Sequence, residues 1–190
     1  MRVFTAIEIP PEIKTALLET QRDFKKLDID VKWVEPQNIH LTLKFLGEIN
    51  QGQSESIITV LDGIVQNKNT YKIGLGEVGI FPNISSPRII WIGLEDGIGE
   101  TKQIFLETEA GLKELGFGKE ERIFSPHITL GRIRSFKNKH LLKEMVSCKN
   151  NRLKESPLEF FAGGITLFSS TLTPKGPIYE PIKKFTLRNN

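Results

Sequence analysis

Two short segments of the chain share a pattern that restricts how the whole sequence can fold. Residues 38–46 read NIHLTLKFL and residues 125–133 read SPHITLGRI, so each contains histidine, an apolar residue, threonine and leucine in that order. Side chains two residues apart lie on the same face of a β-strand. Each segment therefore predicts a strand that carries histidine and threonine side by side on one face and buries apolar residues on the other.

The repeated pattern contains two of the three histidines. His40 shares a strand face with Thr42, and His127 shares one with Thr129. If the two strands line one cleft, its site contains two imidazoles and two hydroxyls. The third histidine, His140, lacks the pattern and is flanked by lysines, so we expect it at the surface.

Two imidazoles and two hydroxyls suit the chemistry of a phosphodiester. Histidine changes charge near neutral pH, so a neutral imidazole can take a proton from the nucleophile while a protonated one protonates the leaving oxygen. Threonine hydroxyls can donate hydrogen bonds to phosphoryl oxygens. A single histidine on a half-buried strand is more often structural than catalytic, but the repetition favours catalysis. The chain has one cysteine, and we expect neither a metal nor another cofactor.

The order of the remaining elements predicts an α+β fold with mainly antiparallel sheets, because strands and helices do not alternate strictly. We predict strands over residues 3–9, 31–46 (broken near Pro36), 71–80, 88–94, 123–133, 158–168 and 178–187. Helices are predicted over residues 12–27, 54–65 and 97–115, with a short one over 139–146.

Composition limits the class of protein. With 190 residues, of which 38% are hydrophobic, the chain can bury the core of one domain. Its net charge of +3 permits an anionic ligand such as a phosphate ester or a short RNA without requiring one. No signal peptide or membrane span is predicted, and we expect a cytoplasmic protein.

The repeated pattern also resembles a known family. HLTL at residues 40–43 and HITL at residues 127–130 look like the two HxTx motifs of the 2H phosphoesterase superfamily. The segments RVFTAIEIP, WVEPQNIHLTLKFLGEI, PRIIWIGL and FSPHITLGRI are similar to bacterial and archaeal RNA 2′,3′-cyclic phosphodiesterases, also called 2′-5′ RNA ligases. The resemblance covers essentially the whole chain. It implies a single bilobal LigT-like domain over residues 1–190, with two mainly antiparallel sheets, helices outside and a central cleft.

The resemblance also implies an activity, which is hydrolysis of a terminal 2′,3′-cyclic phosphate on RNA to a 2′-phosphomonoester. His40 would be the general acid that protonates the leaving 3′ oxygen, and His127 the general base that activates water. Thr42 and Thr129 would hold the phosphate. RNA ends would be the partners, with no obligate protein partner, and the same histidines could run the reverse 2′-5′ ligation.

Residues that flank the motifs have two interpretations each. By alternation Lys44 lies on the His40 face, where it would either contact a phosphate oxygen or be a solvated lysine at the strand end. Arg132 matches a basic position seen after the second motif of the family. Simple alternation places it on the face opposite His127, unless Gly131 marks a bulge that re-aims it toward substrate.

The aromatic residues near the motifs are assigned mainly to the core. Trp91 would either stack on a base or ribose or, more commonly for such a residue, pack in the core. Phe4, Phe45 and Phe124 are assigned to the core.

Two alternative functions stay open at the level of the sequence. The same four residues could act on another cyclic phosphate, such as one on a nucleotide or on ADP-ribose, or on a 2′-5′ linkage. The fold could also bind RNA ends without catalysis. Specificity is expected to lie in the loops over residues 83–86 and 173–177.

Overall fold

The structure is a computed structural model, and it describes residues 1–174 and 176–189; Lys175, in one of the two predicted specificity loops, lies outside them. Its elements, in chain order, are β1 (Arg2–Glu8), α1 (Pro11–Lys25), β2 (Val31–Trp33), β3 (His40–Glu48), α2 (Gln51–Val65), β4 (Tyr71–Pro82), β5 (Pro87–Asp96), α3 (Ile98–Lys113), β6 (His127–Ile133), α4 (Leu142–Glu155), β7 (Leu158–Ala162), β8 (Gly164–Thr173) and β9 (Gly176–Thr186). Short 3-10 turns at Pro36–Asn38 and Lys139–Leu141 precede β3 and α4.

The strands form one nine-stranded sheet in the order β7-β4-β5-β6-β3-β1-β8-β9, with β2 on β6. Neighbouring strands are antiparallel, so the predicted α+β class with antiparallel pairing is confirmed. The expectation of two sheets is corrected to one, because β3 and β6 join the halves. They do so only at the pair Leu41–Ile128.

The sheet nevertheless consists of two similar halves, and each has a histidine strand at its inner edge. The first half-sheet contains β3, β1, β8 and β9, and helices α2 and α3 pack on it. The second half-sheet contains β6, β5, β4, β7 and β2, and helices α1 and α4 pack on it. Helix α1 follows β1 but covers the second half-sheet, and α3 follows β5 but covers the first. The two halves therefore exchange helices.

Side chains on the helix side of the sheet form the core. Leu41 and Ile128, each following a histidine, have no exposed surface.

Two helices begin at residues that suit a helix N-terminus. Pro11 opens α1, where its missing N–H needs no acceptor. Asn50 caps α2 in a reciprocal capping box with Gln53.

Three predicted elements differ from the observed ones. The strand predicted over residues 123–133 begins only at His127, after Pro126. The strand predicted over residues 158–168 divides at Gly163, because β7 pairs with β4 in one half-sheet and β8 with β1 in the other. The short helix predicted over residues 139–146 continues as α4 to Glu155.

Within the described residues no helix is long and apolar enough to cross a membrane, and the cytoplasmic location stays a prediction.

Candidate active site

The contact between β3 and β6 brings the two histidine motifs together. The strands are antiparallel and pair at Leu41 and Ile128, so the residues beside this pair face each other across the strands. His40 therefore faces Thr129, and Thr42 faces His127. All four side chains lie on the face opposite the buried Leu41 and Ile128 and retain partial exposure. We call them the cross-strand quartet.

Both imidazoles are held by a hydrogen bond of the same kind. His40 Nδ1 lies 2.7 Å from the carbonyl oxygen of Asn38, and His127 Nδ1 lies 2.7 Å from that of Ser125. A carbonyl oxygen only accepts, so each Nδ1 carries a hydrogen and donates it. Nε2 is consequently the nitrogen left to exchange protons with a substrate. It accepts a proton when the ring is neutral and donates one when the ring is charged.

An aromatic pocket surrounds His40. The ring centroid of His40 lies 4.9 Å from that of Phe4, 5.4 Å from the edge-on ring of Tyr179 and 6.4 Å from Phe168. Burial in this pocket lowers the pKa of His40 to about 4. The nearby cation of Lys14 lowers it further, while the backbone hydrogen bond opposes the shift. His40 is therefore uncharged at neutral pH in the free protein.

Two aromatic rings lie beside His127. Its ring meets Phe81 edge-on at 5.2 Å and Trp91 at 6.2 Å between centroids, and Phe81 stacks on Trp91 at 4.5 Å. The Trp91 indole lies over Gly79, where a Cβ would overlap the ring. Trp91 thus lies, partly buried, in the wall beside His127. Its Nε1 is buried and has no hydrogen-bond partner within residues 1–174 and 176–189.

Both histidine strands contain a β-bulge one residue after the threonine. The register of β1 with β3 skips Leu43, and the register of β5 with β6 skips Leu130. A bulge turns the following side chains to the other face. Arg132 is accordingly exposed. Burial raises the pKa of Tyr179, and the positive charge of Arg132 partly opposes that shift. The skipped residue and the buried Gly131 turn Arg132 onto the face that carries His127 and Thr129, the outcome that a bulge at Gly131 would produce.

The first bulge corrects two sequence predictions. Lys44 is neither a phosphate contact nor a solvated lysine, since it is 6% exposed and forms a buried ion pair with Glu109 of α3. Its Nζ also donates to the carbonyl oxygen of Gly118 at 2.7 Å. Phe45, which we assigned to the core, is 64% exposed and lies 5.7 Å from Phe4 on the histidine side. The bulge at Leu43 turns Lys44 toward the core and Phe45 toward the histidine face.

The other assignments agree with the structure. Phe4 is 1% exposed, although one side of its ring supports His40. Phe124 is partly buried and stacks on Phe105 at 4.0 Å. His140 is exposed, as predicted.

Sequence reasoning missed the aromatic residues that enclose the histidines, Phe81, Phe168 and Tyr179. They reach the site through strand pairing over long separations, and no local pattern marks them. Among the described residues no three potential metal ligands cluster, and metal independence stays a prediction.

Comparison with known proteins agrees with the duplicated architecture. The family model described as LigT like Phosphoesterase matches the chain twice, over residues 7–91 and 92–179, and each match contains one of the two histidines. The chain is 41% identical over 186 residues to RNA 2′,3′-cyclic phosphodiesterase of Methanocaldococcus jannaschii, and the match covers 97% of this chain and 100% of that protein. It is 34% identical over 170 residues to the protein of the same name from Aquifex aeolicus, covering 88% of each.

Solved structures share the fold. The crystal structure of TT0787 of Thermus thermophilus matches with a TM-score of 0.80 and 28% identity, and the match covers 100% of both chains. Escherichia coli LigT complexed with 3′-AMP matches with a TM-score of 0.73 over 98% of this chain and 97% of that one. Its identity of 21% supports a common fold alone. These matches confirm the resemblance found in the sequence, and the chain belongs to the LigT-like phosphoesterase family.

Proposed function

We propose that this protein hydrolyses the terminal 2′,3′-cyclic phosphate of RNA to a 2′-phosphomonoester. The observation that carries the proposal is the cross-strand quartet, in which each histidine faces the threonine of the other motif across the Leu41–Ile128 pair. Relatives that are 30–41% identical and carry the name RNA 2′,3′-cyclic phosphodiesterase support the choice of substrate.

The two histidines divide the proton transfers. His127 is the general base, and its Nε2 accepts a proton as water attacks phosphorus. The bond between phosphorus and the 3′ oxygen then breaks, and protonated His40 donates the Nε2 proton to that oxygen. One proton enters at His127 and one leaves at His40, so exchange with solvent restores the starting state.

The charge of the substrate explains how His40 can act as an acid. His40 is neutral in the free protein because burial lowers its pKa to about 4. A cyclic phosphodiester carries one negative charge, and an opposite charge within a few ångströms favours the protonated imidazole. Substrate binding therefore raises the pKa of His40, and the imidazole takes up a proton in the complex. The Thr42 and Thr129 hydroxyls and the Arg132 guanidinium stabilise the charge that grows on the phosphoryl oxygens.

A gel assay tests this function. A short end-labelled RNA with a 2′,3′-cyclic phosphate is incubated with the protein in EDTA, and phosphatase and periodate sensitivity identify the product. We expect a 2′-phosphate, with at least about a hundredfold loss of rate in His40→Ala and in His127→Ala. His140→Ala is the matched control and should retain the native rate, because His140 is exposed and outside both motifs.

Each alternative has its own outcome in this assay. Loss of turnover in EDTA would refute the metal-independent mechanism. Turnover of small cyclic nucleotides without turnover of RNA would assign the site to another cyclic phosphate. Binding of the RNA end without turnover of any substrate would identify a binding module.

A further inference from the structure

Two like charges face each other beside the cross-strand quartet. Strand β2 pairs with β6 so that Lys32 lies directly opposite Arg132. Like charges in directly opposed positions destabilise a sheet. Within residues 1–174 and 176–189, neither side chain forms an ion pair with a carboxylate. Two positions along the strands from this pair, Arg134 lies beside an acidic residue, Asp30, whose carbonyl oxygen accepts the backbone N–H of Arg134 at 2.9 Å.

Both cations point into the cleft. A Cβ on Gly131 would contact the side chains of Val31 and Trp33, so these two residues lie on the helix side of the strands. There Trp33 packs near the fully buried ring of Phe24 of α1. Lys32 alternates with Val31 and Trp33 and is exposed on the opposite face, together with Arg132.

The side chain of Lys32 extends along the cleft. Its Nζ lies 3.9 Å from the position that a Cβ on Gly176 would occupy, at the start of β9. The same strand carries Tyr179, which contacts His40 and lies within range of the charge of Arg132. Lys32 and Arg132 therefore form the positively charged side of the cleft that contains the histidines, and anionic groups beside the two cations would offset their repulsion.

We propose that Lys32 binds the phosphodiester that joins the terminal nucleotide to the rest of the RNA, while Arg132 contacts the reacting cyclic phosphate. This inference rests on the proposed function and adds a preference for a polynucleotide over a mononucleotide. A cyclic mononucleotide has only the reacting phosphate, so it leaves Lys32 without an anionic partner. An RNA end provides both phosphates.

The test compares kcat/KM for a tetranucleotide that ends in a 2′,3′-cyclic phosphate with kcat/KM for the cyclic mononucleotide of the same base. We expect Lys32→Gln to lower the first about tenfold, the effect of one charge-assisted contact, and to change the second less than about twofold. The slope of log(kcat/KM) against log(salt) for the tetranucleotide should fall by about 0.7. Lys32→Arg should retain most of the native preference.

A matched control and a second measurement keep the inference falsifiable. Lys72→Gln removes the same charge from a lysine that is 48% exposed on β4 and paired with Asp96 and Glu159, and it should alter neither substrate's rate. Lys32→Gln should unfold in urea no more easily than the native protein, because it removes a repulsion. Equal losses on both substrates, or no loss on the tetranucleotide, would overturn the inference.

A failure of the proposed function would be visible separately, as native protein that hydrolyses neither substrate. Fluorescence anisotropy with a labelled RNA ending in a 2′-phosphate then tests Lys32 directly. Binding that is weakened about tenfold in Lys32→Gln supports the contact, and unchanged binding refutes it.

Discussion

The aromatic pocket around His40 predicts how acid destabilises this protein. Burial lowers the pKa of His40 in the folded state to about 4 from an ordinary value of 6.5. Between these two pH values the unfolded chain binds a proton that the folded protein does not bind. The contribution of neutral His40 to the free energy of unfolding is therefore fully present above pH 6.5 and is lost as the pH falls toward 4.

The size of the effect follows from the two pKa values. Proton linkage with 6.5 in the unfolded state and about 4 in the folded state lowers the free energy of unfolding by about 2 kcal/mol between pH 8 and pH 5. At still lower pH the loss approaches a limit of about 3 kcal/mol. Removing the imidazole should remove this part of the pH dependence and leave the contributions of other groups in place.

Urea unfolding of the native protein and of His40→Gln at pH 8 and pH 5 measures this difference. Other titrating groups act in both proteins, so the difference between the two pH dependences isolates His40. An NMR titration of the His40 ring should give a midpoint near 4. Equal losses of stability in the two proteins, together with a midpoint near 6.5, would refute the argument from burial.

Three further predictions concern the same surroundings. Tyr179→Ala opens the pocket, so the NMR midpoint of His40 should rise by about one pH unit; an unchanged midpoint would mean that Tyr179 does not bury the ring. Binding of a 2′-phosphorylated RNA at pH 7 should take up about one proton in the native protein and markedly less in His40→Gln, as measured by calorimetry in buffers of different ionisation enthalpy; equal uptake would place the proton elsewhere. Lys44→Met leaves the Glu109 carboxylate buried without its partner, so urea unfolding should give a loss of about 3 to 5 kcal/mol. The double variant with Glu109→Leu should recover most of that loss, and a Lys44→Met protein of native stability would contradict the ion pair.

The sequence predicted most of the fold and the centre of the site, and the two bulges explain where it failed. Alternation places Thr42 and Thr129 correctly because they lie before the bulges. After Leu130 the bulge is marked by Gly131, so the position of Arg132 could be foreseen. After Leu43 no residue marks it, and alternation misplaced Lys44.

The rest of the site depends on contacts between distant parts of the chain. Lys32 reaches the cleft only when β2 pairs with β6, and Tyr179 only when β9 pairs with β8 at the edge of the first half-sheet. Strand pairing of this kind leaves no periodic signal near the residues involved. The sequence did not predict the different surroundings of His40 and His127, because the two motifs are nearly identical.

The exchange of helices between the half-sheets relates this protein to a swapped dimer joined into one polypeptide. Neither stretch matched by the family model forms a half-sheet alone, because residues 7–91 contain β3 of the first half-sheet and β4 of the second. Two separate copies would therefore complete each other across a two-fold axis by exchanging strands and a helix. In a dimer of identical copies, both histidines would have identical surroundings. When the two repeats are fused into one chain, the surroundings of the two histidines no longer have to be identical. Each half can then change independently, so His40 lies among Phe4, Phe168 and Tyr179 while His127 lies beside Phe81 and Trp91.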